Sequence, residues 1–474
     1  MTAKKELLRL LLVWVATHFL LVTVVFHPEM HWDNPTWDVR LYYYYANLML
    51  DGKAPYKDFS PEYPPLALPF FVLPRLFSHD FNSYLQIYNL EVLAVEVATL
   101  VVILGIIYRC SLDDERRPHP LYAYILLVSS SGQIFLNRYD ALPAFLVTLS
   151  IYLYVRGDAK SAWAILACSV MTKVYPIILA PLFILTYFRG GKWRVKECLS
   201  GVVTFAGSLT LISLPFLLIA GENVLLPFVY HVERGIQLES TYASLLLWLH
   251  QMLGLPVSIV FPFRSYEVLS PSSLALSQLA LPIMLISQLG LYLLFFGSLR
   301  KGKEDGCQQK SDDAPRLIRF SLLSTLSFLL SYKVFSPQFL AWLFPLVALM
   351  KGSRRAEKNI TAIFIVACGL TQIIFPLAYD QLVDLSGLVI LVLLLRNLLL
   401  VACLLLVMNW KSGDGLLSRL HPLVFTFAGA VLLFAGLISI TLLGWSSIYY
   451  LDIPVCHPGI LFTIGLNLVL CSFL

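Results

Sequence analysis

Residues 37–65 read WDVRLYYYYANLMLDGKAPYKDFSPEYPP. The stretch follows a first apolar run at 7–26 and is too polar to extend it. Its first half, 38–51, predicts a short helix that opens with an acid, Asp38, and carries four tyrosines at 42–45. Its second half is punctuated by Gly52, Pro55 and the pair Pro64-Pro65, which fix the backbone without repeating structure. The following segment, 64–77, is apolar but broken by four prolines, so it suits a helix lying at an interface better than one crossing it. An ordered loop this long between hydrophobic runs is uncommon unless it does something.

The runs around this loop decide the fold class. The chain has 474 residues, 58% hydrophobic and 13% charged, with a mean hydropathy of +0.76. A soluble domain is about half apolar and about a quarter charged. The apolar excess falls into runs of about 15–25 residues, the length that crosses a bilayer as helix. The expected fold is all-α, a polytopic membrane protein of about 12–14 transmembrane helices. Candidate spans are 7–26, 84–108, 120–136, 141–155, 161–172, 174–188, 198–220, 273–299, 317–331, 337–350, 359–378, 385–409, 422–444 and 458–474. Strand alternation is missing, which argues against a β-barrel. The basic start and apolar run of the N-terminus resemble a signal peptide, but about 20 residues suffice to span and no small-residue cleavage site follows, so a retained span is expected. Eight cysteines are scattered without a CxxC pair, which indicates neither a disulfide framework nor a zinc site.

Charge then orients the chain. Of 34 Lys and Arg residues, 24 fall in 1–9, 109–119, 156–160, 189–197, 300–319, 351–358 and 411–419, the segments sharing the side of the N-terminus. By the positive-inside rule that side is cytoplasmic, and the loops 27–83, 221–272, 332–336, 379–384 and 445–457 face outward. The basic blocks therefore read as topology determinants, and no nucleic-acid partner is implied. Asp38, Arg40, Glu62, Arg138, Asp140, Lys173, His231, Glu233, Arg234, Glu239 and Lys333 remain on the outer face. Charges near a membrane surface are costly unless they have a partner or a task.

Such a set suits transfer of a sugar from a lipid phosphate to a hydroxyl. A carboxylate takes the acceptor proton, cations stabilise the departing phosphate, and an apolar groove takes the lipid tail. The same residue types suit an ion or acidic-solute pathway, so a transporter or flippase is the alternative. Transporters often show paired halves with broken helices at matching places, and no such internal repeat is visible here.

Spacing adds a resemblance. The chain resembles the membrane-embedded GT-C glycosyltransferases, and within them the polyprenol-phosphate-mannose-dependent mannosyltransferases: the bacterial α-1,2 family and the GPI-anchor first mannosyltransferase. The stretches that carry it are 38–65, LNRYDALPAFLVTLSIYL at 136–153 with MTKVYPIILAP at 171–181, YHVERGIQLES at 230–240, and YKVFSPQFLAWLFPL at 332–346. The resemblance implies a GT-C catalytic module at 1–250 with two juxtamembrane helices in the first outer loop, matched by 38–51 and 64–77, and a variable module at 251–474. It implies Asp38 as general base, and Lys173, His231, Arg234 and Lys333 at the donor phosphate. It implies a polyprenyl-phosphate sugar donor, mannose favoured, and a glycan or glycolipid acceptor on the extracytoplasmic side of the plasma membrane. Where relatives often carry Asp-x-Asp, this chain has Thr36-Trp37-Asp38, with Asp33 a distant second acid, so no metal or other cofactor is expected.

Arg40, Glu62, Tyr63, Glu91, Arg138, Asp140, Glu239 and Gln338 are expected to line the substrate cavity. Several have plainer readings. Asp38 suits the N-cap of helix 38–51, with Arg40 or Lys173 the expected cation beside it. Arg138 and Asp140 suit a pair across a tight turn, and Lys173 can snorkel from a short span. Glu96, deeper in span 84–108 than Glu91, reads as a structural hydrogen-bonder, and the tyrosines at 42–45 read as an interfacial belt.

Overall fold

The computed structural model describes residues 8–18, 36–110, 119–189, 191–300, 309–409 and 458–473. Candidate span 422–444 and Asp33 lie outside the described residues. The chain is an all-α helical membrane protein. Among the described residues, five segments are long and apolar enough to cross a bilayer: Phe81–Arg109 (helix α4), Val195–Leu225 (α10, Val195–Ala220, with its final turn), Ser273–Arg300 (α13), Arg354–Leu377 (α16, Arg354–Gln372, with its final turn) and Gly387–Met408 (α18).

Other expected spans appear as shorter helices. They are α1 (Leu8–His18), α5 (His119–Ser131), α7 (Ala141–Arg156), α8 (Ala159–Thr172) and α19 (Pro458–Phe473). Fourteen residues of helix rise about 21 Å, short of the roughly 30 Å hydrocarbon layer. The expected run 120–136 breaks at Gly132, whose φ of +58° is a conformation glycine adopts freely, before the single turn α6 (Gln133–Leu136). The run 174–188 is a 3₁₀ turn, Tyr175–Leu179, leading into α9 (Ala180–Leu185), each with a proline in its opening turn. The run 337–350 is likewise a 3₁₀ turn, Pro337–Trp342, then α15 (Phe344–Ala348).

The first loop forms as expected. Helix α2 covers Trp37–Leu50, and a 3₁₀ turn at Pro65–Ala67 leads into α3, Leu68–Arg75. A capping box between Asp80 and Ser83 starts α4. Low in α4, Glu96 is fully buried and accepts from Trp14 Nε1 at 3.2 Å, with His18 Nε2 at 2.9 Å. That junction ties α1 to α4 and fits the structural reading of Glu96.

Between α10 and α13 lie α11 (Leu226–Glu233), α12 (Thr241–Leu253) and a short hairpin, β3 (Ser258–Val260) with β4 (Glu267–Leu269). An earlier two-residue hairpin joins β1 (Phe188–Arg189) to β2 (Lys192–Trp193). Neither hairpin announces itself by alternation in sequence. Helix α14 (Gln309–Ser331) precedes the 3₁₀ turn at 337, and α17 (Tyr379–Val383) precedes α18. One apolar core joins Val39 and Tyr42 of α2, Ile103 of α4, Leu326 of α14, Phe364 of α16 and Leu468 of α19. A second packs the β3–β4 hairpin, through Val268, against Leu246 of α12, Leu382 of α17 and Leu393 of α18.

Candidate functional site

Helix α2 starts at Trp37, so Asp38 lies inside the first turn and Thr36 takes the cap position. The plain reading of Asp38 as N-cap is thereby corrected. Its carboxylate is one-third exposed and meets Arg138, whose Nε is 2.8 Å from Asp38 Oδ2. Arg138 is buried, in the turn between α6 and α7. Arg138 also interacts electrostatically with Asp140 across the same tight turn, while its guanidinium contacts the first loop and the Asp140 carboxylate reaches the end of α8.

Asp140 Oδ1 receives Lys173 Nζ at 2.5 Å and Trp342 Nε1 at 2.6 Å. Lys173, at the end of α8, lies 4.8 Å from the ring centres of Tyr139 and Phe339 and 5.2 Å from that of Trp342. A cation held by a carboxylate and three rings is fixed on several sides. Tyr175 stacks on the outer face of Trp342 at 3.8 Å.

Aromatic side chains wall the approach to Asp38. Tyr42 stacks on Phe71 of α3 at 4.2 Å, and Tyr63 and Tyr139 meet it edge-on. Tyr42 and Tyr45 are almost fully buried, which corrects the expectation of an interfacial belt at 42–45; Tyr44 alone of the four is exposed. The turn places Tyr63 because Tyr56, at φ +65°, donates its hydroxyl to the Tyr63 carbonyl at 2.6 Å.

Glu62 lies beside this wall. Arg264, at the tip of the β3–β4 hairpin, reaches it at 3.5 Å and donates to Tyr45 Oη at 3.3 Å. Burial pushes the Glu62 carboxyl up, with the Arg264 guanidinium opposing. Arg234 follows α11 and is buried; its Nη2 donates to Ser265 Oγ at 2.5 Å, and its Nε faces Glu267 Oε1 at 3.9 Å. Lys333 is buried after α14, and burial lowers its pKa against the pull of Glu267. Glu239 is buried opposite Arg396 at 3.9 Å, and the Arg396 Nη2 donates to its backbone carbonyl at 2.9 Å. Burial pushes the Glu239 carboxyl up to about 7, opposed first by Arg396 and also by Arg138.

The structure thus gathers Asp38, Tyr63, Arg138, Asp140 and Lys173 into one connected group. Glu62, Arg234, Glu239 and Lys333 extend it along the segments 234–240 and 333–335, which are laced together by Gln237 N to Lys333 O and Phe335 N to Gln237 Oε1, both at 3.0 Å. Arg40 is exposed and lies over the Phe81 ring at 4.4 Å. Glu91 is half-buried on α4 beside Tyr84 and Tyr88. Gln338 is half-buried on the turn that carries Trp342. The backbone of His231 lies in α11, and its side chain lies outside the described residues.

Sequence reasoning misses Arg264, Glu267, Trp342 and Arg396. For Arg396 a signal exists: it is a charged residue in the middle of an otherwise apolar span, GLVILVLLLRNLLLVACLLLVM. Arg264 and Glu267 sit in a non-periodic hairpin that only tertiary contact brings to the first loop. Among the described residues no group of three or more His, Cys, Asp or Glu side chains is placed to hold a metal ion. No protein-family model matches the chain, and no curated protein matches it.

Proposed function

We propose that this protein is an inverting glycosyltransferase of GT-C architecture, embedded in the plasma membrane with its active site on the extracytoplasmic side. The donor is a polyprenyl-phosphate sugar, with mannose favoured, and the acceptor a hydroxyl of a glycan or glycolipid. The observation that carries the reading is the one-third-exposed carboxylate of Asp38, held by the buried Arg138 at the edge of a tyrosine-lined wall. That is the arrangement a general base needs: one side fixed by a cation, the other open to an incoming hydroxyl.

In the step we propose, Asp38 takes the proton of the acceptor hydroxyl. The acceptor oxygen bonds to C1 of the sugar from the face opposite the phosphate. The C1–O bond to phosphate breaks, and the electron pair leaves with the phosphate. A β-linked donor then gives an α-linkage. Arg234 and Lys333 stabilise the departing phosphate; Lys173, tied to Asp140, adds positive potential felt at Asp38. Positive charge from these side chains supplies what a metal would otherwise supply, so turnover should persist in excess EDTA. The test is incubation of the purified protein with a panel of labelled polyprenyl-phosphate sugars and extracted glycolipids. Transfer from one of them supports the reading. Movement of an intact lipid-linked substrate across a vesicle membrane without transfer would favour a flippase instead.

A further inference from the structure

Two cations assigned above to the donor phosphate already face a carboxylate, Glu267 of β4. Its side chain is only 4% exposed, and Arg234 opposite is 8% exposed. Glu267 Oε1 and Arg234 Nε stand 3.9 Å apart, and neither has a hydrogen-bond partner among the described residues. Lys333, whose Nζ is 3.5 Å from Ser277 Oγ, is within electrostatic reach of the same carboxylate. The backbone N–H of Gly235 donates to it. A Cβ at 235 would come within 2.5 Å of Glu267 Oε2, so a side chain there requires the carboxylate end to move. The neighbouring strands are pinned, with Val268 N to Ile236 O at 2.8 Å and Leu238 N to Tyr266 O at 2.9 Å.

This is the donor set of an anion site: a guanidinium, an ammonium and a backbone N–H, the guanidinium anchored by its Nη2 donating to Ser265 Oγ. Its resident is a carboxylate that fits loosely, with a buried oxygen left unsatisfied. A buried acceptor without a donor is unfavourable, and a tetrahedral dianion or diester with more oxygens would use donors that Glu267 leaves idle.

We propose that Glu267 is a placeholder, and that the phosphate of a lipid-linked ligand takes its position between Arg234, Lys333 and the Gly235 N–H when the Glu267 side chain swings aside. The proposal rests on the reading of Arg234 and Lys333 as phosphate-binding cations and adds the residue that competes for them. Until ligand arrives, Glu267 partly offsets the charge of two buried cations; on binding, it is displaced, and bulk anions without a lipid tail compete poorly for the site.

Binding without transfer separates this from the fate of the proposed reaction. Dodecyl phosphate is the probe, titrated by native mass spectrometry against the full-length protein in detergent. Glu267→Gln removes the competing charge and should bind dodecyl phosphate about tenfold more tightly than the wild type. Gly235→Ala keeps the charge but pushes the carboxylate out of its seat, a move open to a flexible side-chain end, and should shift affinity in the same direction. Adding Arg234→Gln to Glu267→Gln should abolish the gain. Failure of phosphatidylglycerol to displace the probe identifies a lipid monophosphate ligand; displacement identifies a phospholipid headgroup at the same site. Unchanged or weaker binding in both Glu267→Gln and Gly235→Ala overturns the placeholder role. Absence of sugar transfer by a protein that shows these affinity gains overturns the proposed function and leaves the anion site standing.

Discussion

At the scale of single residues, the site alternates charges that burial makes interdependent. Asp140 is 2% exposed and depends on Lys173 and the Trp342 N–H. Removing one partner of a buried pair costs about 3–5 kcal/mol, because the other is left charged in a poor solvent. Lys173→Met should therefore lower stability by about that amount in detergent unfolding, and Asp140→Asn in the same chain should recover part of it. A Lys173→Met protein of normal stability that has lost only donor binding would make Lys173 a phosphate ligand first. Glu239 gives a pH signature. Its carboxyl is raised to about 7, chiefly by burial. A raised acid holds its proton more firmly folded than unfolded, so its stabilising contribution is full below the unfolded value near 4.3 and is lost as pH rises through about 7. Melting temperature should fall between pH 5 and 7.5 in the wild type, and Glu239→Gln should flatten that slope even if it lowers stability throughout.

At the scale of elements, close helix contacts set the frame that holds the first loop. Gly201 of α10 lies against Trp163 of α8, where a Cβ would come within 2.1 Å of the indole Nε1. That nitrogen also donates to Tyr187 Oη at 3.0 Å. Gly201→Val should push α10 from α8, break that bond and cost about 1–3 kcal/mol, measured as a lower unfolding midpoint. An unchanged midpoint would mean that the two helices separate without strain.

The sequence makes the helices of the first loop legible, because prolines and glycines bracket them and local chemistry decides their ends. It also singles out Asp38, Arg138, Asp140 and Lys173 as charges expected on the outer face. It does not reveal their pairing. Arg138 reaches Asp38 of the first loop because the tyrosine wall and the end of α8 arrive from distant parts of the chain. Arg264 and Glu267 are illegible for the same reason: a hairpin with three-residue strands has no periodicity to read, and its meaning comes from the segment it lies against. Arg396 is the opposite case, since a lone cation in a span is visible in the sequence alone.

At the scale of the molecule, the orientation proposed from charge asymmetry has a direct check. In a background without native cysteines, single cysteines at 53 and 303 should react with an impermeant maleimide from opposite sides of sealed vesicles. Reaction of both from the same side would reverse the proposed geometry and remove the acceptor from Asp38.

The central claim is sugar transfer with Asp38 as the base, and Asp38→Asn tests it most directly. Asparagine keeps the size of the side chain and leaves an amide oxygen to face Arg138, but it cannot take the acceptor proton. General-base contributions run about 10²–10⁴-fold. The measurement is kcat and donor KM for wild type and Asp38→Asn, with the polyprenyl-phosphate sugar that the wild type uses and with folding confirmed by the unfolding midpoint. The account predicts a fall in kcat of about 10²-fold or more at nearly constant donor KM. Near-normal turnover by a folded Asp38→Asn protein would contradict it.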